Sequence, residues 1–263
     1  MGIIIDRMEV VVLPNSSMRY YIPNNGMVTK SNRNDNVAME VMDREELEWY
    51  HNIQDPWDWV TVFENTVSDY CGYKYGVAVD SNSNAIRLML EYLKIKDQHI
   101  VIPARTYVSV PNQIILSGNH PLFEDYKWNG FYQFGGDIPI IDAATAFYED
   151  MGKDHQDKFM ILSFHKKKIL NIGKGGMILT NDEKFVEWAR PMIYDGRHKD
   201  RLYKDDEFEC IGWHMYMTPE DAMRGLRIFH SPRIQSWNEH CGSSKVYGDL
   251  RKQKIYEKYV STE

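Results

Sequence analysis

The residues best suited to chemistry lie in three short stretches. The run Ser163-Phe164-His165-Lys166-Lys167-Lys168 is followed by Gly173-Lys174-Gly175-Gly176. A lysine whose pKa is lowered becomes a nucleophile and forms an imine with an aldehyde. Three adjacent lysines also have the composition of a solvated turn, and a basic loop after a buried strand also suits a generic phosphate site. Neither alternative accounts for the glycine-rich stretch that follows at a fixed distance. Asp142 ends the apolar run Ile138-Pro139-Ile140-Ile141 and precedes Ala143-Ala144. A carboxylate flanked by small residues can approach a planar ligand closely, and it can equally cap a following helix. Asp80-Ser81-Asn82-Ser83-Asn84 offers hydroxyls and free N–H groups where a helix dipole favours an anion. Plain N-capping is the commoner use of such residues.

The pattern around these stretches predicts what positions them. Tyr73–Val79, His99–Pro103, Pro121–Phe123, Ile138–Asp142, Phe159–Phe164 and Gly176–Thr180 read as strands. Trp57–Tyr70, Ser81–Leu93, Ser109–Ser117, Asp182–Ala189 and Pro219–Phe229 read as helices, with Gly118 as a stop signal. Strands alternating with helices imply an α/β fold with a mostly parallel sheet covered on both faces. In such sheets the ligand sits at the carboxyl ends of the strands, where these stretches fall. Towards the N-terminus, Met8–Leu13 reads as a strand, and Pro14–Ser17 and Pro23–Gly26 as turns. Ser31–Asn36 reads as exposed, and a helical period starts at Asp43.

A chain of 263 residues is long enough to bury a substantial core. Its net charge of −7 argues against binding nucleic acid through bulk attraction, which needs an excess of Lys and Arg. Cys71, Cys210 and Cys241 have no metal-site spacing and read as reduced thiols in a reducing compartment. The Met8–Leu13 run is too short to span a bilayer and no signal peptide is evident. No metal site is expected, and the predicted location is cytoplasmic.

The order and spacing of the motifs resemble the DegT/DnrJ/EryC1/StrS family of aminotransferases that depend on pyridoxal 5′-phosphate. That family reads roughly S-G-T-A-A-L, then P-x-x-T-F/Y, D-A-A-Q, S-F-x-x-x-K…G-G, and G-Y-N-Y-R-M-T. This chain has Ser81-Asn82-Ser83-Asn84-Ala85-Ile86, Pro103-Ala104-Arg105-Thr106-Tyr107, Asp142-Ala143-Ala144-Thr145, and Ser163-Phe164 through Lys168 to Gly175-Gly176. A fifth segment, Gly212-Trp213-His214-Met215-Tyr216-Met217-Thr218, leads into the last helix. The resemblance covers about residues 57–230. It implies the type I, aspartate-aminotransferase-like large domain at 57–230, a poorly matched N-terminal arm and helix at 1–56, and a reduced C-terminal remnant at 231–263.

The same resemblance assigns roles. Lys168 lies five residues after Ser163 and seven before Gly175, as the family's Schiff-base lysine does, and Lys166 and Lys167 fit neither spacing. Asp142 pairs with the pyridine nitrogen and Tyr107 stacks on the ring. Ser83 and Ser163, with backbone N–H groups near Asn82, hold the phosphate, and Ser81 is a further cofactor contact. Thr145 stands where Gln or His usually lies near the 3′ oxygen. His214 occupies the position of an Asn that reaches a cofactor phosphate across a dimer interface, which implies a homodimer with shared sites. Asn82 replaces a glycine, and Tyr216 an arginine. The implied reaction moves an amino group from L-glutamate to a keto acceptor, a nucleotide-linked ketosugar. The rivals are a protein that binds pyridoxal phosphate or a sugar nucleotide without turnover, and a sugar dehydratase of the same family. The dehydratases carry His in place of the lysine, so Lys168 argues against that one.

Overall fold

The structure, a computed structural model, describes residues 55–231, Ile234 and 242–260, with the backbone of residues 8–12 and 19–23. Strands β1 (Met8–Val12) and β2 (Arg19–Pro23) pair antiparallel. The predicted turn at Pro14–Ser17, the stretch Ser31–Asn36, the helix from Asp43 and Cys241 lie outside the described residues.

From Asp55 onward the predicted alternation holds. Helix α1 (Asp58–Cys71) precedes β3 (Tyr75–Val79), and α2 (Asn82–Tyr92) precedes β4 (His99–Pro103). Helix α3 (Ser109–Leu116) leads to β5 (His120–Glu124). Strands β6 (Tyr132–Gln133), β7 (Ile140–Asp142), β8 (Phe159–Ser163) and β9 (Gly176–Thr180) follow, then α4 (Glu183–Met192) and α5 (Pro219–Phe229). Local signals set the helix ends. Gly72 closes α1 at φ +81°, a left-handed conformation that costs glycine little. Side-chain oxygens of Ser81, Asp182 and Thr218 accept the N–H of Asn84, Phe185 and Asp221 at the starts of α2, α4 and α5.

The five-stranded sheet runs β3-β9-β8-β7-β6, and β4 and β5 form a separate parallel pair. The sheet is mixed where a mostly parallel one was expected. β7 and β8 are parallel, whereas β3/β9, β8/β9 and β6/β7 are antiparallel. A parallel partner needs a long crossover. Only 134–139 joins β6 to β7, and the loop 164–175 between β8 and β9 holds no crossover helix, so both pairs turn back.

Alternation along the strands divides the core into two layers. Val77, Val79, Ile140, Ile161 and Ile178 face α2, α3 and α4. Ala78, Ile141, Met160, Leu162, Met177 and Leu179 face α1 and α5. The segment 242–260 joins the first layer through buried Leu250 and Tyr256. It braces the stretch after β4, where Leu250 N–H donates to Ala104 O at 2.9 Å and Tyr256 Oη donates to Asn112 Oδ1 at 2.6 Å.

Candidate active site

The β8–β9 loop folds back on itself. Phe164 N–H donates to Gly175 O at 2.9 Å, Lys166 N–H to Gly173 O at 3.2 Å and Lys168 N–H to His165 O at 2.8 Å. This folding separates the three lysines. Lys166 and Lys167 are exposed, whereas Lys168 is half-buried beside the buried Ile169 and Leu170. The charges of Lys168, Lys166 and Lys167 add to partial desolvation in lowering the His165 pKa.

Asp142, at the end of β7, is 5% exposed. Three donors hold its carboxylate. Tyr132 Oη donates to Oδ2 at 2.8 Å, while Ala144 N–H and Asn82 Nδ2 donate to Oδ1 at 3.0 and 3.3 Å. Burial pushes the carboxyl pKa up, and Tyr132, Ala144, the nearby Lys168 ammonium and Asn82 pull against it. Neither Tyr132 nor Thr106, whose hydroxyl lies 2.6 Å from Tyr132 Oη, stood out in the sequence as a site residue. Thr106 belongs to a recognised motif. Tyr132 lies in a two-residue strand that carries no pattern of its own.

The start of α2 meets the start of β9. Ser81 bridges to Gly175, and a Cβ on Gly176 would lie 2.5 Å from Asn82 N and 2.6 Å from Ser81 C. Glycine alone permits this approach, which brings the helix start against the loop that carries Lys168. Ser81 caps the helix as the bland reading expected, and its hydroxyl also donates to Asp80 Oδ1 at 3.1 Å. Asn82 turns its amide to Asp142 and to Ile161 O. Ser83 is half-buried in the first turn, and Ser163, also half-buried, ends β8. Asp80 is bound by Lys174 Nζ at 3.0 Å and Asn84 Nδ2 at 2.7 Å.

Tyr107 is 59% exposed at the end of the β4 segment. Thr145 is buried, and its hydroxyl donates to Gly130 O at 2.6 Å and lies 3.3 Å from Gly242 O. It ties backbone segments together. His214 is exposed, with Nδ1 2.8 Å from Asp195 Oδ2, while the adjacent Met215 O accepts Asp80 N–H at 2.7 Å. The described residues contain no cluster suited to a metal ion, and no helix among them is long and apolar enough to cross a membrane. Cys71 and Cys210 are free thiols.

The α/β frame, with a half-buried lysine near a buried carboxylate at the strand ends, is that of the type I aminotransferase fold. The chain belongs to the DegT/DnrJ/EryC1/StrS aminotransferase family, whose sequence model matches residues 38–132 and 137–238. It is 24% identical over 236 residues to GDP-perosamine synthase of Caulobacter vibrioides, covering 74% of this chain and 62% of that protein. It is 22% identical over 211 residues to a UDP-4-amino-4,6-dideoxy-N-acetyl-beta-L-altrosamine transaminase of Campylobacter jejuni, covering 64% of this chain and 55% of that one. The chain therefore spans less than two thirds of the length of either relative. Its fold matches the crystal structure of NtdA from Bacillus subtilis with bound cofactor PMP, at a TM-score of 0.54 and 18% identity, covering 67% of this chain and 48% of that one.

Proposed function

We propose that this chain is an aminotransferase that uses pyridoxal 5′-phosphate, takes the amino group from L-glutamate and passes it to a nucleotide-linked ketosugar. The observation that carries the reading is half-buried Lys168, set apart from the exposed Lys166 and Lys167 and near enough to buried Asp142 for its charge to act on that carboxyl. The donor set fits the cofactor. Lys168 offers a primary amine for its aldehyde, and Asp142 a carboxylate for its ring nitrogen. Ser81, Asn82, Ser83 and Ser163 offer hydroxyls and backbone N–H groups for its phosphate, and Tyr107 an exposed ring for stacking.

When bound, the cofactor supplies an electron-poor ring that takes up electron density from the substrate. The protein does the rest. Asp142 keeps the ring nitrogen protonated by placing a negative charge beside it. Lys168 Nζ would hold and move the proton taken from the substrate carbon. The start of α2 would hold the phosphate, which fixes the rest of the cofactor relative to Lys168.

Family membership and the sugar-transaminase relatives support the acceptor class, and the implied partner contact of His214 supports a homodimer with shared sites. The test is borohydride reduction of the protein loaded with cofactor, then peptide mapping. A cofactor-derived mass on Lys168 is expected, and none in Lys168→Ala. A label on Lys166 or Lys167 overturns the assignment. Adding L-glutamate should bleach the visible absorbance band, and a nucleotide ketosugar should restore it. A band that glutamate leaves unchanged marks a binding protein without turnover.

A further inference from the structure

Asp142 has four lone-pair positions. Ala144 N–H and Asn82 Nδ2 occupy Oδ1, and Tyr132 Oη occupies one position on Oδ2. Among the described residues, these donors leave one position, on Oδ2. Tyr132 is itself 5% exposed, and its oxygen lies 2.6 Å from Thr106 Oγ1. A phenol has one proton. An ionised carboxylate only accepts, so that proton points to Asp142, and the Thr106 hydroxyl must donate to the Tyr132 oxygen. The direction of the chain Thr106–Tyr132–Asp142 is thus set by the charge on Asp142. Protonated, Asp142 no longer dictates it.

Both supports of this chain are rigid. Tyr132 stacks on Phe134 and packs against Trp128, with ring centroids 6.3 and 5.0 Å apart. The backbone on either side of Thr106 is held by Trp128 Nε1 donating to Arg105 O at 2.9 Å and is packed by Tyr256, whose Oη lies 3.2 Å from Val108 O. The strand that carries Tyr132 lies at the break in the family match, between residues 132 and 137, and the brace at Tyr256 lies beyond its end at residue 238.

We propose that Tyr132, backed by Thr106, is a positioning residue that keeps the Asp142 carboxylate ionised and fixes which of its lone pairs is left for a cationic partner. The partner is the cofactor's ring nitrogen, and to that extent the proposal rests on the proposed function. The groups facing Asp142 are Tyr132 from β6, Asn82 from α2, Ala144 N–H from its own loop and the Lys168 ammonium from the β8–β9 loop. Tyr126 stands behind Tyr132. Removing the phenol leaves burial less opposed, so the carboxylate protonates at higher pH.

The experiment compares wild type with Tyr132→Phe, Thr106→Val and Thr106→Ser. Infrared titration of the cofactor-free protein reads the Asp142 carboxyl, with Asp142→Asn to assign the band. The titration midpoint is expected to rise by about one pH unit in Tyr132→Phe, the size of a lost hydrogen bond to the charged form. It should rise less in Thr106→Val and stay at the wild-type value in Thr106→Ser. The acid limb of pyridoxal phosphate binding should move by the same amounts, whereas a merely structural role would weaken binding equally at every pH. An unchanged midpoint in Tyr132→Phe overturns the proposal. If that variant fails to fold, equal midpoints for Thr106→Val and Thr106→Ser do so. The infrared measurement needs no cofactor. The expected shifts in a protein that binds no pyridoxal phosphate would therefore support the chain of hydroxyls and overturn the proposed function.

Discussion

Asp142 carries a charge that its surroundings resist. Burial raises its pKa, and the donors around it offset only part of that rise. Over a pH range the folded chain therefore keeps a proton that the unfolded chain has released. Stability of the cofactor-free protein falls as pH climbs from the ordinary carboxylate value through the raised one. Asp142→Asn removes this cost, so its cofactor-free form is expected to melt at a higher temperature than wild type at pH 7. The difference should vanish in acid below the ordinary carboxylate range. The same variant should lose about 10²–10³-fold in turnover, the size of other lost preorganised electrostatic contacts. Thermal melts across pH and single-turnover rates check the two halves. Equal melting at pH 7, or a wild-type rate, contradicts the role given to Asp142.

Two of the points that tie the elements together use polar groups or bare backbone in place of apolar packing. Glu64 on α1, 1% exposed, receives both guanidinium nitrogens of Arg190 from α4 at 2.6 and 2.7 Å and the Ala78 N–H of β3 at 2.7 Å. This joins helices from opposite faces around the β3 edge. Arg190→Ala leaves a buried carboxylate without its cation and is expected to cost about 3–5 kcal/mol in urea unfolding. Arg190→Lys should recover little of that cost, because an ammonium cannot make the paired contact. A loss below about 1 kcal/mol, the level of an exposed pair, would mean the pair is not the tie described. The second point is Gly176. The atoms an added Cβ would meet at 2.5 and 2.6 Å are backbone atoms that cannot swing aside. Gly176→Ala should cost about 1–3 kcal/mol as overpacking and should also weaken pyridoxal phosphate binding, because the strain falls on the start of α2. Unfolding midpoints and cofactor titration separate these effects.

The whole molecule presents an apolar stretch next to His214. Leu202, Tyr203, Phe208 and Ile211 are 67%, 68%, 52% and 93% exposed. Exposed apolar groups collected in one segment mark a surface for association, and a twofold dimer is the commonest closed arrangement. Light scattering at micromolar concentration is expected to give twice the mass of one chain. Ile211→Asp together with Phe208→Asp should shift it toward the monomer and weaken cofactor binding, if His214 serves the partner's site. A wild-type monomer that binds the cofactor with full affinity would remove His214 from the site. The segment 242–260 acts at this scale too. It closes over the β4 stretch as part of the large domain's core, through Leu250 and Tyr256.

Much of this was legible in the linear order of residues, because the signals are local. The strand–helix alternation and the cap at Ser81 depend on neighbours a few positions apart, and the resemblance that singles out Lys168 rests on short spacings within one loop. The antiparallel turns of β6–β7 and β8–β9 depend on connection length, which the hydrophobic pattern does not report. Tyr132 and Thr106 became visible as site residues only when folding brought β6 beside β7 and the β4 end beside both. The resemblance sets Thr145 near the cofactor's 3′ oxygen, and only the fold shows that its hydroxyl donates to Gly130 O. Asn82 looked like a substitute in a phosphate loop, and folding turned its amide onto Asp142. Local spacing can say which residues share a loop. It cannot say which buried donor meets which buried acceptor, because that pairing is chosen by strands and helices far apart in the chain.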